Sequence, residues 1–306
     1  MTENEALAPT EPAESACDPM AKVRPAPPAG AQLARARVLG ALFGDDRAVG
    51  AFGRFRVLER LGAGGMGVVY EAYDPDLARG VALKLINVAA SDRETALAEA
   101  KALARLSHPN VVPIYDVGLE RDHVYLVMEL VRGQTLRTWS ERRTLAEILA
   151  VYHQAGLALV TAHAAGLVHR DFKPENAIVG ADGRVRVVDF GLACEADDPA
   201  APSDAPRHPA GTPRYMAPEI KAGTATTPAA DQYSFVVALA ESLAWARISP
   251  PRRITAVLER GRAEQAARRF ASMSELLRVL ARDPARTRRR IGASAGLAAA
   301  LGAAAF

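Results

Sequence analysis

Cysteine is scarce in this chain of 306 residues, which holds only two, Cys17 and Cys194. Because they lie far apart in unrelated contexts, no disulfide framework or cysteine zinc site can be built, and a reducing compartment is expected. The net charge of +3 is too small to indicate nucleic-acid binding, and no nucleic-acid partner is expected. Residues 1–12 contain neither a basic stretch nor an apolar run, so they do not predict a signal peptide.

Lysine is also rare, since only five of the 38 basic residues are lysine. In a chain that otherwise uses arginine, a lysine either marks a place that needs a compact ammonium group or is residual drift. Hydrophobic residues make up 49% and charged residues 24%, which are ordinary values for a globular protein. The chain can therefore bury a sizeable core, and wholesale disorder is excluded.

The composition changes along the chain. Residues 1–52 are rich in Pro and Ala with few large apolar side chains, which predicts a disordered tail. Residues 53–131 contain short apolar runs joined by turns, which predict antiparallel strands and one main helix. Residues 132–283 are mostly helical, so the whole predicts an α+β fold of two lobes, N-lobe and C-lobe, with a cleft between them. Ser/Thr-x-x-Glu patterns predict helix-capping boxes at Ser91 and Thr144 and a helix cap at Ser272.

A glycine-rich turn joins the first two predicted strands, Gly62-Ala-Gly-Gly-Met-Gly67 followed by Val-Val69. Glycines let backbone N–H groups approach phosphates without obstruction by side chains. The same pattern opens dinucleotide-binding units, but these need a helix directly after the glycines, and β-branched and aromatic residues follow here. A phosphate-binding hairpin and a merely flexible turn are the interpretations that remain.

Lys84 lies on an otherwise apolar predicted strand, seventeen residues after Gly67. A charge in that place is costly unless it is paired or holds an anion. We therefore expect Lys84 to bind phosphate with Glu99, on the following helix, as its partner. A lysine that reaches the surface is the alternative.

The octet His169-Arg-Asp-Phe-Lys-Pro-Glu-Asn176 is the most specific pattern in the chain. Phosphoryl transfer needs a carboxylate that orients and deprotonates a hydroxyl, a cation near the transferring group, and oxygen ligands for Mg²⁺. Asp171, Lys173 and Asn176 suit these three catalytic roles, Asn176 as a metal ligand. Asp189, which follows a predicted strand and precedes Phe-Gly, suits the second Mg²⁺ ligand.

Together with Gly211-Thr-Pro-Arg-Tyr-Met-Ala-Pro-Glu219, these patterns resemble protein kinases, specifically the eukaryotic-like serine/threonine kinases of bacteria, over residues 55–281. The resemblance implies the bilobal kinase fold and transfer of the γ-phosphoryl group of ATP, with Mg²⁺, to Ser/Thr hydroxyls of protein substrates. It implies that the nucleotide contacts the following residues: Leu61, Gly62, Ala63, Gly64, Gly65, Met66, Gly67, Val69, Ala82, Lys84, Glu99, Glu129 and Val131.

The resemblance also assigns structural roles in the kinase core. It implies Met128 as the gatekeeper beside adenine, and Leu103, His169 and Phe190 as a stack that links the lobes. It further implies an ion pair between Glu219 and Arg269, and support of the catalytic loop by Asp231.

The sequence departs from the family pattern between Asp231 and Arg269, where it is about twenty residues shorter. The shortened region lacks a helix that commonly contributes to substrate docking. A nucleotide-binding pseudokinase or signalling scaffold with an incomplete C-lobe is therefore the alternative function. In the activation segment, residues 189–219, Ser203 is the one obvious regulatory hydroxyl, so we expect weak or absent activation by phosphorylation there.

Residues 284–306 combine a basic stretch with sixteen uncharged residues, 291–306. As a helix these sixteen would span about 24 Å, short of the roughly 30 Å hydrocarbon core of a bilayer. A membrane anchor that holds a cytoplasmic kinase domain at the inner face, and a loose apolar tail, are both open. Self-association that permits autophosphorylation is a further expectation.

Overall fold

The computed structural model describes residues 51–64, 67–86, 88, 90–120, 123–191, 212–224 and 226–282. Predictions about residues 1–50, Ser203 and residues 283–306 fall outside these ranges. The described residues belong to one compact unit.

The amino-terminal part of this unit forms a six-stranded antiparallel sheet with the strand order β1-β2-β3-β4-β6-β5. The strands are β1 (Ala51–Phe52), β2 (Phe55–Gly64), β3 (Gly67–Asp74), β4 (Arg79–Ile86), β5 (Ile114–Glu120) and β6 (His123–Glu129). Phe52, which was expected in the tail, pairs with Phe55 and is buried. The domain boundary expected after residue 52 is therefore at least two residues too late.

One main helix, α1 (Arg93–Ala104), packs against β5 and β6 and buries Ala96, Ala100 and Leu103. The capping box predicted at Ser91 is wrong. A 3₁₀ turn precedes the helix, so the N-cap residue Asp92 has φ −103° and ψ −1° and lacks the extended backbone that side-chain capping requires. The Ser91 hydroxyl instead donates to the Asp92 carboxylate at 2.9 Å.

The carboxyl-terminal part is mostly helical, as predicted. Its helices are α2 (Leu136–Trp139), α3 (Leu145–Ala164), α4 (Pro218–Lys221), α5 (Pro228–Trp245), α6 (Arg252–Gly261) and α7 (Met273–Ala281). A small antiparallel sheet of β7 (Gly133–Thr135), β8 (Ala177–Gly180) and β9 (Val185–Val187) accompanies them. The Thr144 side chain caps α3 in a complete capping box, and the Ser272 hydroxyl accepts from the Glu275 amide at 3.1 Å, so both predicted caps are confirmed.

Helix α3 forms the centre of the C-lobe. By length and composition it is the one helix of the described residues that could cross a membrane, but 44% of its apolar window is buried within the protein. Its Gly156 faces α7 closely, because a Cβ atom there would lie 2.4 Å from the Leu277 side chain. This burial and close packing are typical of the core helix of a globular lobe.

The region between α5 and Arg269 contains one α-helix, α6, and a short 3₁₀ helix, Ala266–Arg268. Arg247, with φ 57°, turns the chain directly after α5, and Pro250 and Pro251 lead into α6. Helix α6 then buries Ile254, Val257 and Leu258 in the core. The shortening relative to the family pattern stays a prediction of the sequence.

Candidate active site

A cavity lies where the sheet meets the segment that follows β9. It is lined by Lys84, Leu103, Val112, Ile114, Leu126, Met128, Asp189 and Phe190. Most of these side chains are apolar, and Lys84 and Asp189 are the charged ones. The cavity therefore combines an apolar wall with one cation and one anion at its edge.

The glycine turn closes the β2–β3 hairpin, with Gly64 opposite Gly67. Gly67 has φ +128°, and a Cβ atom there would lie 1.9 Å from the Leu85 carbonyl oxygen, so only glycine fits. At Gly62, by contrast, a Cβ atom would meet nothing within 4 Å. The hairpin thus needs Gly67 for its own geometry, whereas Gly62 leaves open space beside the backbone.

Most of the other predicted nucleotide contacts lie on this hairpin and on the neighbouring strand β4. Val69 pairs with Lys84 across β3 and β4, and Ala82 pairs with Met128 across β4 and β6. Ala82 and Lys84 are buried, whereas Leu61 is 48% exposed. Ala63 is exposed opposite Val68. Gly65 and Met66 lie outside the described ranges.

Lys84 is buried, and its ammonium donates to the Asp189 carboxylate, with Nζ 3.1 Å from Oδ1. The predicted Lys84–Glu99 pair is therefore wrong in this conformation. Glu99 instead forms an ion pair with Arg170, with 3.5 Å between Oε1 and the guanidinium. The reason is that a buried ammonium needs an acid in contact, and Asp189 supplies it across the cavity.

The catalytic loop brings its predicted residues together. Lys173 Nζ lies 2.7 Å from Asp171 Oδ2 and 2.8 Å from the Thr212 hydroxyl. The Thr212 amide donates to Asp171 Oδ1 at 2.9 Å, and Asn176 Nδ2 donates to the Asp171 carbonyl at 2.8 Å. The sequence did not predict the Thr212 amide contact, which fixes the second carboxylate oxygen.

These contacts determine the charge of Asp171. Burial opposes its ionised form, but the hydrogen bond and charge of Lys173, together with the Thr212 amide and hydroxyl, outweigh it and lower the pKa of Asp171. The carboxylate is therefore ionised near neutral pH and can accept a hydrogen bond from a hydroxyl group.

Asp231, which is fully buried in α5, binds the backbone of the catalytic loop. Its carboxylate accepts from the amides of His169 at 2.9 Å and Arg170 at 3.0 Å, and lies 2.7 Å from His163 Nε2. Two backbone amides are thus held by one side chain, which fixes the loop immediately before Asp171. This agrees with the role implied for Asp231.

Leu103, His169 and Phe190 are the side chains predicted to link the lobes. The rings of His169 and Phe190 are 4.6 Å apart, and Phe190 lines the cavity together with Leu103. Burial lowers the pKa of His169, and its Nε2 lies 3.1 Å from the Val188 carbonyl oxygen. A neutral ring that donates from Nε2 to this carbonyl satisfies both observations.

Asn176 and Asp189 are the predicted metal ligands. Asn176 uses its amide nitrogen on the Asp171 carbonyl, which leaves its Oδ1 as the ligand atom. Within the described ranges no group of three or more His, Cys, Asp or Glu side chains forms a protein-only metal cage. The donor set nevertheless fits Mg²⁺, which binds through one or two protein oxygens together with substrate phosphates.

The hinge between the lobes follows β6. Met128 is buried at the cavity wall, and the Glu129 amide donates to the Pro113 carbonyl at 3.0 Å. The Glu129 carboxylate accepts from Arg186 Nε at 3.0 Å, and the same guanidinium binds Asp182. Val131, the last predicted contact, packs partly buried against the core.

The sequence patterns did not predict this role of Arg186. The hydrogen bond to Asp182, opposed by burial and assisted by Glu129, raises the pKa of Arg186. The pattern that could have revealed it is the alternation in β9, where Arg186 lies between the buried Val185 and Val187 and so on the opposite face of the strand.

The segment that ends at Glu219 is anchored to the C-lobe. Arg269 is buried and binds both Glu219 carboxylate oxygens, at 2.5 and 2.6 Å, as predicted. Burial opposes the charge of Glu219, but the Arg269 hydrogen bonds outweigh it and lower the pKa of Glu219.

The same segment has a second contact with the C-lobe, which the sequence patterns did not predict. The Tyr215 hydroxyl donates to Glu241 at 2.6 Å. A lone acid on the otherwise apolar carboxyl-terminal part of α5 could have revealed it, because such a charge needs a partner.

Comparison with known proteins agrees with this geometry. The model of the family described as "Protein kinase domain" matches residues 55–281, which is most of the chain. The chain belongs to the protein kinase family. Its fold is the bilobal protein-kinase fold predicted from the sequence.

Named relatives are serine/threonine-protein kinases. PknA of Mycobacterium tuberculosis is 40% identical over 197 residues, which are 60% of this chain and 45% of PknA. PknD of the same species is 40% identical over 213 residues, 67% of this chain and 31% of PknD. The chain thus spans less than half the length of these relatives. Among solved structures, a mutant form of the Mycobacterium tuberculosis PknI kinase domain is similar with a TM-score of 0.60 and 28% identity, covering 75% of this chain and 95% of that one.

Proposed function

We propose that this chain is an ATP-dependent protein serine/threonine kinase that transfers the γ-phosphoryl group to hydroxyls of protein substrates. The observation that carries the proposal is the arrangement around Asp171. Its ionised carboxylate is held by Lys173 of the same loop and by the amide of Thr212 from the segment that ends at Glu219, and Asn176 belongs to the same hydrogen-bonded group. An acid, a cation and an oxygen ligand in one place are what phosphoryl transfer requires.

The proposed mechanism assigns one task to each group. Asp171 orients the acceptor hydroxyl and receives its proton, and Lys173 stabilises the negative charge on the transferring group. Backbone amides of the glycine hairpin and the Lys84 ammonium hold the phosphates. Asn176 and Asp189 would hold Mg²⁺, which neutralises charge on the phosphate oxygens when it is bound.

The nucleotide base has a matching surface. Met128 lines the apolar wall of the cavity, and the base would lie between this wall, Val69 and Ala82 on the sheet, and the backbone of Glu129 and Val131.

The pseudokinase or scaffold alternative is not favoured. A missing lysine, aspartate or asparagine would support it, yet Lys84, Asp171, Asn176 and Asp189 are all present. The shortened C-lobe also keeps a closed core. Attachment to the inner face of a membrane through residues 291–306, a cytoplasmic location and self-association remain predictions of the sequence.

The test is transfer of label from ATP to a generic basic protein and to the kinase itself, with Asp171→Asn as the variant. General-base loss should reduce transfer by about 10²- to 10⁴-fold while ATP still binds. Asp76→Asn, an exposed acid far from the cavity that pairs with Arg54, is the matched control and should transfer label as the wild type does. Wild-type protein that binds ATP tightly yet transfers nothing would disprove the proposal.

A further inference from the structure

The carboxylate of Glu241 lies beside the segment that carries Thr212, and it already has two partners from that segment. The Tyr215 hydroxyl donates to Oε2 at 2.6 Å, and the Arg214 guanidinium contacts Oε1. Glu241 is only 8% exposed, whereas the Arg214 side chain is 70% exposed. A desolvated acid is thus neutralised by a cation that reaches in from the surface.

This pair lies close to the proposed acceptor site. The Thr212 amide binds Asp171, and the Tyr215 amide donates to the Thr212 carbonyl at 2.9 Å, which closes a tight turn around Arg214. A peptide whose hydroxyl reaches Asp171 must therefore pass this turn. Any charge on the turn acts on residues that flank the acceptor.

Glu241 is not the only acid near the turn. Burial, the hydrogen bond to Glu241 and the nearby charge of Glu175 all raise the pKa of Tyr215, which therefore remains a protonated donor. Glu175 itself is exposed. The surface next to the turn would be acidic without Arg214, and an acidic surface of this kind binds arginine or lysine side chains.

We propose that Arg214 is a specificity-determining residue, which occupies the Glu241 carboxylate and so prevents it from binding a basic side chain of the protein substrate. The inference rests on the proposed kinase function. If Arg214 has this role, an arginine near the acceptor hydroxyl of the substrate does not raise kcat/KM. Removal of Arg214 exposes Glu241 and creates a preference for basic substrates.

A set of acceptor peptides tests this selectivity. Arginine is placed singly at each of the three positions before and after the acceptor serine of an otherwise neutral peptide, and kcat/KM is compared with that of the parent. For the wild type we expect no arginine peptide to exceed the parent. For Arg214→Ala we expect at least one arginine peptide to exceed it by about tenfold, as one new charged contact would give.

Two variants decide whether Glu241 is responsible. In the double variant Arg214→Ala/Glu241→Gln the gain should disappear, because Gln keeps the hydrogen bond from Tyr215 but not the charge. Arg252→Ala, which removes an exposed arginine from α6, should keep the wild-type preference. An Arg214→Ala enzyme with unchanged preference, or a gain that survives Glu241→Gln, would overturn the proposal.

Peptide binding separates this inference from the kinase proposal itself. Fluorescence anisotropy of the same peptides, with a non-hydrolysable ATP analogue present, reports the preference even without transfer. Absent transfer would disprove the kinase function, while a switched binding preference in Arg214→Ala would still support the role of Arg214. An unchanged binding preference would overturn it. Thermal denaturation of each variant confirms that the compared proteins are folded.

Discussion

Lys84 donates its hydrogen bond to Asp189, 3.1 Å away, so the proposed phosphate-binding cation neutralises the proposed metal ligand. In the proposed mechanism Lys84 binds phosphate and Asp189 binds Mg²⁺, so this hydrogen bond must break before both groups take up these roles. In the same conformation Glu99 is paired with Arg170. The structure therefore shows the site with its charges compensated internally.

The first prediction concerns Lys84→Met. Phosphate loses its cation, so transfer should fall by about 10²-fold or more. Without nucleotide, however, Asp189 has lost its internal partner and should bind Mg²⁺ better than in the wild type. Thermal stabilisation by Mg²⁺ alone should therefore be larger in Lys84→Met, and Lys101→Met, an exposed lysine on α1, should behave as the wild type. Equal Mg²⁺ stabilisation in all three proteins would contradict this.

The second prediction compares two glycines of the same hairpin. Gly67→Ala forces a Cβ atom against the Leu85 carbonyl oxygen at φ +128°, and it should lower the free energy of unfolding by about 2 kcal/mol or more. Gly62→Ala meets no atom and should change it by less than about 0.5 kcal/mol. Urea denaturation of both variants measures the difference, and equal losses would refute the geometric argument.

The third prediction concerns pH. Because Lys173 is the principal group that lowers the pKa of Asp171, Lys173→Ala should raise this pKa. A general base works only when ionised, so activity is lost as pH falls through its pKa. The acid limb of the kcat/KM profile should therefore move to higher pH in Lys173→Ala, measured on the residual activity. Lys221→Ala, which removes an exposed lysine, should leave the limb where it is.

The fourth prediction concerns the buried pair of Glu219 and Arg269. Arg269→Ala leaves a carboxylate without its partner and should cost about 3–5 kcal/mol of stability. The pH dependence has a defined sign. Since the folded-state pKa of Glu219 is lowered, its contribution is present above the unfolded value of about 4.3 and is lost as pH falls through the folded value.

Glu219→Gln provides the test of that sign. Its deficit in thermal stability relative to the wild type should be largest near neutral pH and should shrink below pH of about 4, where the wild-type carboxylate becomes protonated. A deficit that stays constant from about pH 7 to about pH 3 would show that Glu219 is not charged in the folded protein.

Local patterns predicted much of this fold because they act over a few residues. The capping box at Thr144, the helix cap at Ser272, the β2–β3 hairpin and the helical C-lobe follow from short-range hydrogen bonds and apolar spacing. The capping box at Ser91 failed for a local reason as well, since a 3₁₀ turn changed the backbone of Asp92. The same pattern therefore predicts a cap only where the preceding backbone is extended.

Charge partners across long sequence distances were less predictable. Glu219 and Arg269 were correctly paired, because the family pattern carries both. Glu99 was predicted to pair with Lys84, but it contacts Arg170. Either cation can neutralise Glu99, and the packing of the two lobes determines which one is close enough. Glu241 was missed because its partners, Tyr215 and Arg214, come from a different segment.

The sequence by itself determined the family, the order of the elements and which residues carry acids, cations and amides in the catalytic loop. These properties depend on residue type and spacing. Only the tertiary structure decided which charges compensate each other, at Lys84 and Asp189 and at Arg214 and Glu241. Coulomb energy depends on distance and burial in space, and the chain order specifies neither.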